Sequence, residues 1–280
     1  MKPDLEMTGE RVLEDDYQRS IGGYTIYAMH AASYAFAEPL CIGKRVLDLG
    51  CGSGYGTHRI AQHAAETYGV DVASDAIAFA RARYVKSNLH FARIDAGARL
   101  PFDEGSFDVV LSFQVIEHVK DDAAYLREAR RVMKAGGTLV LITPDRRHRL
   151  LPGQKPWNRW HLREYGLDEL ADLAARQFNV VRRLRMGAAW PIAKVEIERY
   201  VRTKWLTLPM TLPFVPEPLR IAGLNALHRL MGAGAGARKP LAESIGGYDF
   251  GEQDFVIGED PPNSLNLVIV AERAPDDALD

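Results

Sequence analysis

Three carboxylates and a run of glycines carry the chemistry most readily read from this sequence. The run is Asp48-Leu-Gly-Cys-Gly-Ser-Gly-Tyr-Gly56. Glycines let a backbone turn tightly and approach a ligand without side-chain clash. The start of a following helix adds unsatisfied N–H donors. A dinucleotide fingerprint would need glycine at 50, 52 and 55, but position 55 is Tyr55. A phosphate loop ending Gly-Lys-Ser/Thr is also absent. The glycine spacing argues against a nicotinamide-dependent oxidoreductase. Asp48, just ahead of the glycines, suits a cationic amino group better than a pyrophosphate. Asp71 is placed to accept hydrogen bonds from ribose hydroxyls, and Asp95 one from an exocyclic adenine amine.

The elements that must position these acids alternate regularly. RVLDLG (45–50), ETYGVD (66–71), LHFARID (89–95), FDVVLSF (107–113) and TLVLITP (138–144) read as five strands. Their apolar runs fit strands buried on both faces. Between them, helices are expected over Tyr55 to Ala65, from Ser74 to Lys86, and from an Asp121/Asp122 cap to Met133, ended by Gly136-Gly137. Strands separated by helices imply right-handed βαβ units and a parallel sheet. The three acids then end successive strands and line one crevice, the usual ligand position in such sheets. A helix over Ile26 to Phe36, stopped by Pro39, precedes the sheet. A helix (Leu167 to Arg176), a strand (Phe178 to Leu184) and a last strand, SLNLVIVAER (264–273), follow it. Residues 187–260 show no clear period, and GAGAGA (232–237) reads as a flexible tract.

Composition sets the outer limits. The chain has 280 residues, 47% hydrophobic and 26% charged, so it can bury a sizeable core. Thirty-five basic residues against 37 acidic ones exclude bulk basicity, and no nucleic-acid partner is expected. Cys41 and Cys51 make neither a disulfide framework nor a four-cysteine metal site, and no metal site is expected. The acidic start, MKPDLEMTGERVLEDD, lacks a signal-peptide core, which points to the cytoplasm.

Residues 44–144 resemble the class I S-adenosylmethionine-dependent methyltransferases, specifically the ubiquinone-biosynthesis-like group. VLDLGCGSGYGT, GVD (69–71), IDAGARLPFDEGSFDVVLSFQVIEHVKD (94–121) and LREARRVMKAGGTLVLITP (126–144) match its successive motifs. The resemblance implies S-adenosylmethionine as cofactor. Asp48, Gly50, Gly52 and Gly54 would hold its methionine end, Asp71 with Val72 its ribose, and Asp95 with Ala96 its adenine. Ser112 and Phe113 would lie under the sulfonium. It also implies a seven-stranded, mostly parallel, doubly wound Rossmann-like α/β sheet. The domains follow: 1–43 an N-terminal helical cap, 44–186 with 261–274 the cofactor-binding core, and 187–260 a lid inserted before the last strand.

Methyl transfer from a sulfonium is a displacement in which positioning dominates, so a general base is an aid rather than a requirement. His118, after the fourth strand, is the candidate base, because a neutral imidazole can accept a hydroxyl proton. Glu117 is a candidate for orienting the acceptor. His58 and His63 read as surface residues, and His30 as a packing residue. The loop 145–163 holds Arg146, Arg147, Arg149, Lys155, Arg159 and Arg163 against Asp145, with Trp157 and Trp160 among them. Those cations could clamp phosphate or carboxylate on an acceptor; equally, the loop could be solvated with its tryptophans packed on the core. TGER (8–11) and this loop loosely resemble bacterial polysaccharide- and glycolipid-tailoring methyltransferases, with Glu10, Arg11 and Tyr17 as lid residues. The expected activity is O-methylation of a hydroxyl on a glycan, glycolipid or sugar-containing metabolite. A phenolic or quinone-like acceptor is the alternative, and a non-catalytic scaffold is the other class. Residues 205–231 could meet a membrane surface, or bury their apolar face as a lid or homodimer contact, which is the favoured reading.

Overall fold

The computed structural model describes residues 20–235 and 248–274. Glu10, Arg11 and Tyr17 lie outside the described residues. The chain opens with helix α1 (Ile21–Cys41), capped by Ser20, whose hydroxyl accepts from Gly23 N at 3.1 Å. Pro39 does not stop this helix; it lies in the last turn, where only one backbone bond is lost, and Ala37 and Cys41 stay fully buried.

The expected alternation follows: β1 (Arg45–Leu49), α2 (Tyr55–Ile60), β2 (Glu66–Asp71), α3 (Ser74–Arg83), β3 (Leu89–Arg93), β4 (Phe107–Phe113), a single 3₁₀ turn (Ile116–His118), α4 (Asp122–Val132) and β5 (Met133–Pro144). Helix α2 is half its expected length, and α3 ends before Lys86. Strand β5 begins at Met133 and absorbs Gly136-Gly137, so the glycines bend a strand instead of ending a helix. Asp121 caps α4 as expected, accepting from Ala124 N at 2.8 Å. A short α5 (Arg146–Arg149), α6 (Leu167–Ala175) and β6 (Asn179–Ala188) come next.

The stretch without period is mostly helical. Helices α7 (Trp190–Thr211) and α8 (Glu217–Ala235) are joined by a turn that takes Pro213 and Pro216. Pro191 sits in the first turn of α7, where a missing N–H costs nothing. Residues 232–235 of GAGAGA continue α8, so that part of the tract is helix; Gly236 and Ala237 lie outside the described residues. Strand β7 (Phe255–Gly258) and β8 (Ser264–Glu272) close the chain.

The sheet has eight strands, not seven, in the order β3-β2-β1-β4-β5-β8-β6-β7. Strands β1 to β5 are parallel to one another, and β8 is antiparallel to both its neighbours. The extra strand arises because β6 runs on past Leu184, and β7 pairs antiparallel with its last four residues. That covers an edge that would otherwise be open. Alternate residues of the central strands feed two cores. Val46, Leu111, Ile142 and Met186 pack on the α1 face. Leu47, Val110, Leu141 and Leu170 pack on the other.

Candidate functional site

The glycine loop leaves β1 and enters α2 through Gly54, which stands at φ 81° as the helix N-cap. An added Cβ there would meet Ala80 and Phe91 at 2.7–2.8 Å. Gly56 is constrained differently: a Cβ would fall 1.9 Å from the Tyr34 ring. Tyr34 comes from α1 and is 5% exposed. Helix α1 is thus wedged against the loop.

Tyr34 and Thr57 both donate their hydroxyls to Asp48 Oδ2, at 3.1 and 2.6 Å. Asp48 is 1% exposed. Burial raises its pKa to about 6, the two hydroxyls pull it back, and nearby Asp71 adds to the rise. Asp71 accepts from Gly52 N and Ala73 N, each at 2.9 Å, so it ties the glycine loop to the start of α3. Ala73, not Ser74, occupies the cap position of α3, and no side chain caps it.

Asp48, Gly50, Gly52, Gly54 and Asp71 are therefore gathered at the C-terminal ends of β1 and β2. Val72 follows, half-exposed at 51%. Asp95 does not end β3; it lies two residues beyond, exposed, paired with Arg93 at 2.7 Å, with exposed Ala96 beside it. Ser112 and Phe113 end β4 but point to opposite faces, as neighbours on a strand must. The Ser112 hydroxyl bonds Tyr125 of α4 at 2.7 Å, and Phe113 meets the Tyr34 ring edge-on at 5.0 Å.

Beyond β4 the 3₁₀ turn places Glu117 and His118. Glu117 is 1% exposed; Thr143 donates to its Oε2 at 2.9 Å. Burial pushes its pKa up to about 7, against the pull of neighbouring positive and hydrogen-bonding groups. His118 Nδ1 lies 3.1 Å from the Trp160 carbonyl. His161 arrives from the loop after α5 and meets His118 edge-on at 4.7 Å. Burial lowers the His161 pKa to about 4, so it is neutral at pH 7. Nothing in the spacing of 117, 118 and 161 announced this meeting.

Several cations of the basic loop are committed to partners within the chain. Arg149 and Glu164 form a buried pair at 2.8 Å. Burial alone would raise Glu164; Arg149 and His161 outweigh it and hold it at about 2. Arg149 also lies over Trp157, at 4.5 Å from the ring centroid. Arg146 pairs with Glu169, Arg163 with Asp122, and Lys155 donates to the Val215 carbonyl. Arg159 differs. It stacks on Trp160 at 4.8 Å, donates to Asn225 at 3.0 Å, and lines a cavity of about 320 Å³ with Ile221 and Arg229 of α8. Buried Arg220 holds α8 to the loop through the Pro156 carbonyl at 2.6 Å.

Of the other histidines, His63 is exposed as expected. His58 is not simple surface, since its ring stacks on Tyr84 at 4.8 Å. His30 is desolvated, with its pKa lowered to about 4. Tyr34, Thr57 and Tyr125, which fix Asp48 and Ser112, were missed in the sequence; they sit on three helices with no motif linking them.

The strand order, with its glycine loop and strand-end acids, defines the class I methyltransferase fold. Residues 47–141 match the family described as "Methyltransferase domain". The chain is 39% identical over 170 residues to a probable S-adenosylmethionine-dependent methyltransferase of Mycobacterium tuberculosis. That stretch covers 60% of this chain and 59% of the relative, less than two thirds of its length. A ubiquinone biosynthesis O-methyltransferase of Pseudomonas aeruginosa is 36% identical over 106 residues, 37% of this chain and 46% of that protein. A solved S-adenosylmethionine-dependent methyltransferase from Mesorhizobium loti shares the fold at a TM-score of 0.52 and 18% identity, over 88% of this chain and 100% of that one. A (4+2)-cyclase shares it equally well, at 0.52 and 18%, over 87% and 81%. Fold alone therefore does not fix the chemistry.

Proposed function

We propose that the protein is an S-adenosylmethionine-dependent O-methyltransferase acting on a hydroxyl of a glycan, glycolipid or sugar-containing metabolite. The observation that carries the cofactor half is the Asp48–glycine loop–Asp71 constellation. Asp48 would face the cofactor's ammonium, Asp71 and Val72 its ribose, and Asp95 and Ala96, from an exposed loop, its adenine. The (4+2)-cyclase relationship leaves the reaction to be argued from the site, and the named methyltransferase relatives favour methyl transfer.

In that reaction a lone pair on the acceptor oxygen forms the O–CH₃ bond as the S–CH₃ bond breaks. The bonding pair returns to sulfur and the hydroxyl proton leaves. His118 would act on that proton, directly or through the group argued below. The cavity lined by Arg159, Trp160 and Arg229 supports an acceptor with a ring to stack and an anionic or polar group to bind. Helix α1 and the α7–α8 part of the insertion would close over it. A phenolic or quinone-like acceptor is the second reading, favoured by the name of the Pseudomonas relative. No helix among the described residues is long and apolar enough to cross a membrane. Exposed Trp205, Leu206, Phe214 and Leu219 support surface contact with a lipid-linked acceptor or a second copy. Release of S-adenosylhomocysteine, measured over glycan and phenolic acceptor panels, tests the assignment. Turnover with sugar hydroxyls supports it; turnover only with phenols replaces it with the second reading.

A further inference from the structure

Glu117 Oε1 is a buried carboxylate oxygen with no hydrogen-bond partner among the described residues. Leaving such an atom without compensation is costly. Glu117 stands beside two imidazoles: Glu117, His118 and His161 each offer one ligating atom within 4.8 Å of the others. The surroundings orient all three. Thr143 binds the opposite oxygen, Oε2, at 2.9 Å. The Trp160 carbonyl, which can only accept, lies 3.1 Å from His118 Nδ1 and places a proton there. Ionised Glu164 does the same for His161 Nδ1, also at 3.1 Å. Each ring in its neutral form then carries its lone pair on Nε2. Arg149 fixes Glu164 in turn, and a backbone bond from Leu162 N to the Glu117 carbonyl at 2.9 Å pins the His161 loop to the turn. A ring whose second nitrogen is held by a carbonyl or carboxylate is the usual setting of a metal-bound histidine.

We propose that Glu117, His118 and His161 form a binding site for a divalent transition-metal cation. Two imidazoles and one carboxylate suit zinc, manganese or iron(II) better than magnesium or calcium, which prefer all-oxygen sets. Bonds of about 2.1 Å need ligand atoms about 3.4 Å apart in a tetrahedral site, so closure asks for side-chain movements of about an ångström. Three protein ligands keep at least one coordination position open. On the methyltransferase reading, that position takes the acceptor hydroxyl, lowers its pKa and lets its proton pass to water as the oxygen attacks the methyl carbon. His118 is then a ligand.

The test is equilibrium dialysis of tag-free, chelator-treated protein against buffered zinc and, separately, manganese, followed by metal analysis. Wild type should hold one equivalent of zinc. Glu117→Gln and His161→Asn should each weaken binding at least tenfold while keeping the wild-type circular dichroism. His118→Asn is the second variant should one of these fail to fold. Wild type holding no more metal than the folded variants, or equal stoichiometric binding in all of them, overturns the proposal. S-adenosylhomocysteine binding is measured on the same samples. Metal binding without it would leave the cation site standing and remove the methyltransferase reading; the reverse would remove only the cation site.

Discussion

Replacing Asp48 by asparagine should make the unliganded protein more stable, relative to wild type, as pH rises. Asp48 is 1% exposed, and burial lifts its pKa from 3.8 to about 6. A carboxyl with a raised folded pKa favours folding in full below its unfolded pKa, and that contribution is lost as pH rises through the folded value. A shift of about two units corresponds to about 3 kcal/mol by pH 8. About 1 kcal/mol of this is already lost at pH 4.5, where the unfolded carboxylate is mostly ionised. The asparagine side chain never ionises. Its carbonyl can accept from Tyr34 and Thr57, but its amide adds a buried donor costing about 1–3 kcal/mol at any pH. The absolute difference between variant and wild type is therefore small. Its change between pH 4.5 and pH 8 should be about 2 kcal/mol in favour of the variant. Urea unfolding at both pH values, without cofactor, reads it. A difference that stays constant, or moves the other way, would refute the account of a buried, strained acid. The same variant should lose S-adenosylhomocysteine binding, and wild-type binding should weaken as pH falls below about 6.

Gly56→Ala places a methyl 1.9 Å from the Tyr34 ring and should cost about 1–3 kcal/mol by thermal or urea unfolding while lowering cofactor affinity. Arg149→Ala strands the buried Glu164 carboxylate, 2.8 Å from Arg149 in wild type, and should cost about 3–5 kcal/mol in urea unfolding at pH 7. Trp160→Ala should raise the acceptor KM at least fivefold and leave S-adenosylhomocysteine affinity within twofold in calorimetry.

Much of the cofactor side was legible because its constraints are local. The glycine spacing follows from backbone geometry within one turn, and Asp48 and Asp71 follow from where short apolar runs end. Asp95 was displaced because β3 stops at Arg93, and strand ends are set by pairing partners that lie far away in sequence. The eighth strand was invisible because four residues, Phe255–Gly258, carry no period; they pair only because β6 offers an edge. Residues 190–235 hid two helices behind prolines that sit in a first turn, near a helix end and in the intervening turn. The acceptor side was read least well. Charge alone left its basic loop open between a clamp and a solvated loop, and folding commits Arg146, Arg149 and Arg163 to Glu169, Glu164 and Asp122. His161 reaches Glu117 and His118 through tertiary packing that no spacing encodes.

The central claim is that Asp48, the glycine loop and Asp71 bind S-adenosylmethionine. Calorimetric titration of the purified protein with S-adenosylmethionine, S-adenosylhomocysteine and NAD, beside Asp71→Ala, tests it most directly. Asp71 holds Gly52 N and Ala73 N at 2.9 Å, so its loss removes both the ribose acceptor and the loop's anchor. The account predicts binding of the first two ligands, none of NAD, and at least tenfold weaker binding in the variant. Equal binding by wild type and variant, or binding of NAD alone, would contradict it.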